Sequence, residues 1–593
     1  MPTAEAPRRW AWPLLAGVIA VALGLRLWGI RQGLPYAYNT DEADHFVPRA
    51  VSMFAHGLNP HYFSNPPAYT YLLHVVFAIA YGGKQGVLHE FAFHPASVYT
   101  LARVVAALLG VAAVWLTYLA GARLLGRAGG LLAAAIEAVA FLPGYYAHVA
   151  VNDVPTLAPL TLSLVGSAGV LRTGRTREVL LAGAGLGLAC ASKYTAGIAL
   201  APLAAAIAVR YVQEDAGAGR RALVRLGLAG SVALGAFLLA NPYAVLDYSS
   251  FHQGVVHQST LASEAQGKLG APRHGGLVYY LWSLTWGLGW APALAALGGA
   301  ITVWRREPAL GWVLVPAPLL FLAFMGLQGR YFGRWLMPIL PILCLLAACF
   351  ALQAAAAAAR AWRRMRSARD APPGAGPRRV SAGAVGVAAA VVLGAVLLVQ
   401  GLVYSVHSGL VLSRADTRNL TRAWMVAHVP AGVAIVAEPV SPDEWARQTR
   451  PGSATSRNPY RWKKYPSLEL RIAPGGALRA RGALQPVSIE DYVRTLSPAL
   501  ISFYERNGYC WVVSGSTQSG RAFADPRAVP LAIAYYRALA REGEVVYRAE
   551  PYAHGAHPVA FGFDWSFNQY PLAYHRPGPQ MTVYRLHGGR CGA

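Results

Sequence analysis

The chain has 593 residues, of which 55% are hydrophobic and only 13% are charged. Soluble proteins carry about 25% charged residues, so this composition excludes a string of soluble domains. The chain is also too apolar to be disordered. Its formal net charge of +25 is compatible with a nucleic-acid binder or with a membrane protein whose charges are unevenly distributed, and the positions of the charges decide between them.

Apolar segments long enough to cross a membrane recur along the first two thirds of the chain. A transmembrane helix needs about 20 mostly apolar residues. Eleven segments approximate that pattern: 11–30, 98–119, 129–147, 155–171, 179–192, 195–210, 223–240, 276–303, 309–327, 335–355 and 383–405. We therefore predict a polytopic α-helical membrane protein.

Basic residues alternate with these predicted spans. Arg8 and Arg9 precede the first span and predict a cytoplasmic N-terminus, since loops rich in Lys and Arg stay in the cytoplasm. The cytoplasmic segments then hold 20 Lys and Arg residues, against eight in the outer loops of the membrane region. The charge excess is therefore a topology signal. It predicts a multi-pass protein of the plasma or inner membrane, in contact with membrane lipids and not with nucleic acid.

The apolar stretch 66–82 is short and begins with Pro66 and Pro67. If it spanned the membrane, every later basic loop would change sides, and the arginine-rich segment 360–380 would lie outside. We therefore predict a helix that lies at the outer interface or dips in and returns, within an outer loop of residues 31–97.

Residues 408–593 contain no spanning segment, so we divide the chain into a transmembrane domain, 1–407, and a soluble domain, 408–593. An odd number of spans places this tail outside the cytoplasm. β-Branched runs alternate with helical patterns, which predicts a small extracytoplasmic α/β domain, with Asp416 as a helix cap. The predicted strands are 433–437, 510–513, 544–548 and 581–586, and the predicted helices are 417–428 and 528–541.

Two of the five cysteines, Cys510 and Cys591, lie in the tail, and the other three lie in predicted spans. An oxidising compartment allows a disulfide between them. Two free thiols are the alternative. The chain has no C-x-x-C motif, so nothing indicates a zinc or redox centre.

Acidic residues cluster at two places in the predicted outer loops. Asp41, Glu42, Asp44 and His45 follow the first span, and Asp153 lies between the third and fourth spans. A solvated loop or a helix cap explains each group taken alone. Alternatively, these carboxylates face a substrate at the membrane surface.

Cations flanked by aromatic residues also fall on the outer side. Arg330, Tyr331 and Arg334 occupy the segment 328–335, and Lys193 lies at a junction between two spans. Anchoring at the interface or snorkelling is the simplest interpretation. The alternative is capture of a lipid phosphate, to which guanidinium groups are suited. Two acids and three cations on one side of the membrane favour a single reaction site.

The order of these motifs resembles the GT-C superfamily of membrane glycosyltransferases, in particular bacterial protein O-mannosyltransferase-like and aminoarabinose-transferase-like enzymes. The motifs are Asp41-Glu42, Pro66-Pro67-Ala68-Tyr69, Ala102-Arg103, Asn152-Asp153, Ser192-Lys193-Tyr194-Thr195 and the segment Arg330 to Pro338. The resemblance implies a GT-C fold and inverting transfer of a sugar from a polyprenyl-phosphate donor on the extracytoplasmic face.

The resemblance also implies roles for individual residues. Asp41 is the general base with Glu42 as its companion, and Asp153 is the second loop acid. The cations Lys193, Arg330 and Arg334 bind the donor phosphate. Asp44, His45 and Tyr331 are further substrate-binding candidates. The chain departs from its relatives at Asn65, where they often carry Lys, and at Asp44-His45, where Arg or His often occurs.

The chemistry is consistent with these assignments. A lipid phosphate leaves as an anion, so transfer needs a base for the acceptor hydroxyl and cations for the phosphate. Nothing requires a metal, although a divalent ion between Asp41 and Asp153 stays open. The acceptor is a protein, a lipid or a glycan. The alternative functions are a transporter or flippase of lipid-linked sugars that uses the intramembrane Glu137, and an anchored external binding module.

Overall fold

The computed structural model describes residues 8–215, 217–263, 269–272, 275–367, 381–441, 443–446, 461–465, 470–472, 478–480, 489, 491–564 and 571–592. Part of the predicted basic segment 360–380 lies outside these residues. The chain is mostly helical up to residue 428 and mixes helices with short strands after it. The helices are α1 Arg8–Leu27, α2 Val47–His56, α3 Ala68–Tyr81, α4 Lys84–Phe93, α5 Pro95–Leu125, α6 Arg127–Val139, α7 Phe141–Tyr146, α8 Leu157–Thr173, α9 Thr176–Ser192, α10 Leu200–Gln213, α11 Ala218–Ala240, α12 Tyr243–Leu246, α13 Tyr248–Ser263, α14 Gly276–Leu284, α15 Trp290–Arg306, α16 Pro308–Leu314, α17 Pro316–Gly326, α18 Leu340–Ser367, α19 Ala382–Leu412, α20 Thr417–His428, α21 Ala499–Asn507, α22 Ser516–Ala524 and α23 Pro530–Glu542.

Eight helical segments of the described chain are long and apolar enough to cross a membrane. They are Trp10–Leu27, Pro95–Leu125, Tyr194–Gln213, Ala218–Ala240, Gly276–Arg306, Pro308–Gly326, Gly333–Met365 and Ala382–His428. This confirms a multi-pass helical membrane protein. The other three predicted spans fall on α6 with α7, on α8 and on α9, each of which has 17 or fewer residues. The count of eleven spans therefore stays a prediction.

Helices α8 and α9 form an antiparallel pair whose backbones touch. A Cβ atom added to Gly166 would lie 2.4 Å from the backbone nitrogen of Ala182, and one added to Gly185 would lie 2.4 Å from that of Ser163. Small residues permit such close packing of helices in membranes. Because α8 begins and α9 ends on the same side of the pair, the residues just before α8 lie beside those just after α9.

The stretch 66–82 contains a helix, as predicted. Helix α3 buries Leu73 and Phe77 against its neighbours, whereas Ile79 is 79% exposed. The helix ends at Tyr81, and the next residue, Gly82, caps it with a φ of 72°, a left-handed conformation that glycine adopts without strain. The position of α3 relative to the membrane stays a prediction.

A five-stranded mixed sheet forms the centre of the tail, in the strand order β2-β1-β5-β7-β6. Strand β1 runs parallel to β2 and β5, while β7 runs antiparallel to β5 and β6. The strands are β1 Ala434–Ala437, β2 Lys463–Lys464, β3 Leu470–Ile472, β4 Leu478–Ala480, β5 Trp511–Gly515, β6 Glu544–Ala549 and β7 Met581–Arg585. Strands β3 and β4 form a separate hairpin. The four predicted strands and two predicted helices of the tail are confirmed.

Two local features of the tail also match the sequence predictions. The Asp416 carboxylate accepts a hydrogen bond from the backbone nitrogen of Arg418 at 2.8 Å, and so caps α20. Cys510 and Cys591 are joined in a disulfide with a Cα–Cα distance of 5.3 Å. This bond holds the last turn of the chain beside the start of β5.

The tail packs directly against the first long loop. The Arg418 guanidinium lies 3.5 Å from the centroid of the Tyr38 ring, a cation–π contact. The Tyr38 hydroxyl donates to Asn419 Oδ1 at 2.6 Å, and Asn419 Nδ2 donates to the Gly33 carbonyl at 3.0 Å. The residues that follow helix α19 are therefore held against this loop by side-chain contacts.

Candidate active site

A cavity of about 620 Å³ opens among the loops at one end of the helices. We call it the acid–cation cavity, since it is lined by Asp41, Asp153, Lys193, Arg330 and Arg334. These five residues come from four separate parts of the sequence. His45 also lines the cavity, whereas Glu42, Asp44 and Tyr331 do not. Six of the nine predicted site residues are thus brought together.

Arg334 lies between the two acids of the cavity. Its Nη2 donates to Asp41 Oδ2 at 2.9 Å, and its Nε lies 3.8 Å from Asp153 Oδ2. The Phe332 ring packs against the guanidinium, with its centroid 4.9 Å from Cζ. The Asp41 side chain remains 34% exposed, whereas that of Asp153 is 4% exposed. The two carboxylates therefore share one cation but differ in their access to the cavity.

The partner of Asp153 is Lys193, whose Nζ donates to Asp153 Oδ1. This contact rests on the α8–α9 pair, because Asp153 precedes α8 and Lys193 follows α9. Asn152 Nδ2 donates to the Ser192 carbonyl at 2.6 Å and ties the same two loops together. Thr156 is the N-cap residue of α8, and no side chain caps that helix. The helix-cap interpretation of Asp153 is therefore wrong.

Glu42 is completely buried behind the cavity. Its carboxylate accepts hydrogen bonds from Arg103 Nε and Nη2, both at 2.7 Å, and from the backbone nitrogen of Ala150 at 2.8 Å. Arg103 Nη1 also donates to the carbonyls of Ile30 and Gln32. Glu42 thus links the loop that carries Asp41 to α5 and to the loop that carries Asp153.

The remaining two predicted residues lie away from the cavity wall. Asp44 is exposed, although it is only three residues from Asp41. Tyr331 is buried, and its hydroxyl donates to the Pro272 carbonyl at 2.9 Å. Its ring packs against Tyr279, with the centroids 4.8 Å apart. A direct contact of either side chain with a substrate stays a prediction.

An aromatic pair that the sequence did not indicate forms part of the wall. The rings of His45 and Tyr62 stack with their centroids 4.4 Å apart, and the Arg49 guanidinium lies 4.6 Å from the Tyr62 centroid. Burial lowers the pKa of His45 and raises that of Tyr62 to about 12. Both side chains are therefore neutral near pH 7.

Four further lining residues are not among the predicted site residues. Asn65 donates to the Tyr62 hydroxyl at 3.0 Å, and helix α13 contributes His257 and Gln258 to the wall. Ile489 reaches the cavity from the tail. Of these four residues, only Asn65 is singled out in the sequence analysis, as the position where relatives often carry Lys.

Glu137, the residue on which the transporter alternative depended, does not line the acid–cation cavity. It is 1% exposed within α6. Arg26 lies beside it and donates to its backbone carbonyl at 3.3 Å.

In the described part of the chain, no group of three or more His, Cys, Asp or Glu side chains is arranged to hold a metal ion. Asp41 and Asp153, the two residues considered for a divalent ion, each contact a cationic side chain instead.

The fold and the cavity together define a class of protein: a multi-pass membrane protein with carboxylates and cations gathered beyond the ends of its helices. Residues 64–242 match the family model described as dolichyl-phosphate-mannose-protein mannosyltransferase. The matched segment contains Pro66, Arg103, Asp153 and Lys193. It confirms the resemblance to GT-C membrane glycosyltransferases, whose sugar donors are linked to polyprenyl phosphates.

The chain is similar to several solved structures. One is ArnT from Cupriavidus metallidurans bound to undecaprenyl phosphate, with 16% identity, coverage of 98% of each chain and a TM-score of 0.46. The archaeal oligosaccharyltransferase AglB from Archaeoglobus fulgidus, in complex with an inhibitory peptide and a dolichol-phosphate, has 12% identity over 88% of this chain and 72% of its own, with a TM-score of 0.46. The Saccharomyces cerevisiae Pmt1-Pmt2 complex bound to the sugar donor has 16% identity over 42% and 35%, with a TM-score of 0.34. No curated protein matches the chain.

Proposed function

We propose that this protein is an integral-membrane glycosyltransferase that moves a sugar from a polyprenyl-phosphate donor to a hydroxyl acceptor, with inversion at the sugar. The observation that carries this proposal is the acid–cation cavity, where two carboxylates and three cations meet. The uneven distribution of basic residues favours transfer on the extracytoplasmic face. The sugar is not specified by the cavity, and the acceptor hydroxyl belongs to a protein, a lipid or a glycan.

The cations of the cavity bind the donor phosphate in this proposal. Lys193, Arg330 and Arg334 outnumber the two acids, so the lining carries one excess positive charge when its histidines are neutral. Charge-assisted hydrogen bonds from guanidinium to phosphate are among the stronger polar contacts. Asn65 carries no charge and donates a hydrogen bond to the Tyr62 hydroxyl. In this proposal the arginines therefore supply the positive charge that relatives often have from a lysine at position 65.

Asp41 is the general base in this proposal. It is the more exposed of the two acids, and its partner Arg334 is suited to move from a carboxylate to a phosphate. When the donor engages Arg334, the Asp41 carboxylate becomes available to the acceptor hydroxyl. The hydroxyl oxygen then attacks the anomeric carbon, the proton passes to Asp41, and the bond to the phosphate breaks.

Asp153 has a positioning role in this proposal. Its side chain is buried and contacts both Lys193 and Arg334. Asp153 therefore orients these two cations and does not take up the proton. Glu42 supports both acids from behind the cavity. Inversion follows if the hydroxyl attacks from the side opposite the phosphate in a single displacement.

The experiment is transfer from polyprenyl-phosphate sugars by the purified protein, with Asp41→Asn, Asp153→Asn and the control Asp247→Asn. Asp247 contacts Asn59 and does not line the cavity. We expect Asp41→Asn to slow transfer by about 10²–10⁴-fold with donor binding largely retained, Asp153→Asn to have a smaller effect, and the control to have none.

Transfer by Asp41→Asn at the wild-type rate would remove Asp41 from the base role. If the unmodified protein moves lipid-linked sugars across vesicles without transferring them, the flippase alternative is correct.

A further inference from the structure

The tail contacts the chain just before Arg334, behind the acid–cation cavity, through Phe563 and Asp564. The Phe563 ring stacks on that of Phe332, with the centroids 5.6 Å apart. Asp564 is 3% exposed, so its carboxylate is withdrawn from water. This segment therefore packs against the chain immediately before Arg334.

The Asp564 carboxylate holds the backbone on which Arg334 is mounted. Its Oδ2 accepts a hydrogen bond from the backbone nitrogen of Gly333 at 2.5 Å and another from the Tyr279 hydroxyl at 2.8 Å. Gly333 and Asp564 are 231 residues apart in the sequence. The contact thus fixes a peptide of the membrane region by means of a residue of the tail.

Gly333 permits this close approach. A Cβ atom at this position would lie 2.7 Å from the Trp286 ring and 2.8 Å from Asp564 Oδ2. An indole and a carboxylate therefore pack next to the Gly333 backbone and leave no room for a side chain. The next residue, Arg334, extends from this fixed point to Asp41 and Asp153.

We propose that Asp564 is a positioning residue for sugar transfer: by holding the Gly333 backbone it sets Arg334 at the distance from Asp41 and Asp153 that donor binding requires. The tail is then part of the catalytic unit. This inference rests on the proposed function, because it assumes that Arg334 binds the donor phosphate. Asp564 itself does not line the cavity and acts through Arg334.

The two variants Asp564→Ala and Asp564→Asn test this role in the full chain. Alanine removes the acceptor of the Gly333 and Tyr279 hydrogen bonds. Asparagine keeps an oxygen that can accept both, since both go to the same atom of Asp564. We expect Asp564→Ala to raise the donor KM by about tenfold to a hundredfold, the scale that misplacement of a binding group produces. Asparagine should stay within about twofold of the wild type, because both hydrogen bonds can persist.

Glu438→Ala is the matched control, because Glu438 is also a completely buried acid of the tail. It accepts hydrogen bonds from Ser514, Gly515 and Tyr536, all within the tail. We expect this variant to lower the thermal unfolding temperature at least as much as Asp564→Ala does, while its donor KM stays at the wild-type value.

Three results would overturn the inference. The first is a wild-type donor KM in Asp564→Ala, and the second is an equal rise of that KM in Glu438→Ala, which would show that any damage to the tail has the same effect. Either of these leaves the proposed function intact. The third is the absence of transfer by the unmodified protein from every polyprenyl-phosphate sugar tested, which would overturn the proposed function together with the inference.

Discussion

Glu42→Gln tests whether Glu42 has a structural role, unlike its neighbour Asp41, the proposed general base. Glu42 is fully buried and accepts two hydrogen bonds from Arg103 and one from the backbone of Ala150. The substitution keeps the shape but removes the charge, and the new NH₂ group faces a donor. The Arg103 guanidinium then stays buried without its counter-ion.

The magnitude follows from this geometry. Removing one partner of a buried ion pair costs about 3–5 kcal/mol. Since Gln keeps one acceptor oxygen, and Arg103 keeps its bonds to the Ile30 and Gln32 carbonyls, we expect the lower end, about 3 kcal/mol. Glu178→Gln is the control. Glu178 is similarly buried, but its partners Arg123 and Arg177 are 36% and 71% exposed, and exposed pairs contribute about 0.2–1 kcal/mol.

The assay is thermal or denaturant unfolding of the detergent-solubilised protein, with sugar transfer measured on the same samples. We expect Glu42→Gln to unfold at a clearly lower temperature or denaturant concentration than Glu178→Gln. The double variant Glu42→Gln/Arg103→Gln should regain part of the loss, because no uncompensated charge then remains buried. The ion pair does not hold the loops in this way if Glu42→Gln is as stable as the control. The same conclusion follows if the stability losses of Glu42→Gln and Arg103→Gln, each measured alone, add up to the loss of the double variant.

Three further predictions concern the cations, the tail and its orientation. Arg334→Ala and Arg330→Ala should each weaken binding of polyprenyl phosphate while the protein stays folded, and unchanged affinity in both would make them interfacial anchors. Burial raises the pKa of Glu438 to about 7, so the folded tail binds this proton more tightly than the unfolded chain. Its stability should therefore fall by roughly 3 kcal/mol between about pH 4.5 and 7. The unfolding temperature of the wild type should therefore be lower at pH 8 than at pH 5, and this pH dependence should be missing in Glu438→Gln. Protease added to sealed inverted vesicles, which expose the cytoplasmic face, should not cut the tail. Cleavage of the tail only in these vesicles would show that it lies in the cytoplasm.

The sequence predicted the features that depend on local patterns. Helix α20 is capped by Asp416, and the strands around Val436 and Val583 are runs of β-branched residues, so short windows suffice to find them. The sequence also placed Asp153 and Lys193 on the same side of the predicted spans, although their direct contact was not predicted. Charge alternation and hydrophobic length carry this information without any knowledge of packing.

Contacts between distant residues could not be read in the same way. The bonds from Arg103 to Glu42 and from Gly333 to Asp564 depend on how loops of different helices fold over one another. Glu42 therefore resembled Asp41 in sequence, although one is buried and the other faces the cavity. Likewise, nothing in the pattern of the tail distinguished Asp564 from its other acids.

The position of Arg334 between two carboxylates affects how the protein should respond to salt. In the proposed mechanism, a donor phosphate that binds Arg334 displaces Asp41 or Asp153, which hold the guanidinium, and not only mobile counter-ions. Ionic strength screens exposed charges strongly but partly buried pairs much less. Donor affinity should thus depend only weakly on salt, and competition with the protein's own carboxylates should set how tightly the lipid is held.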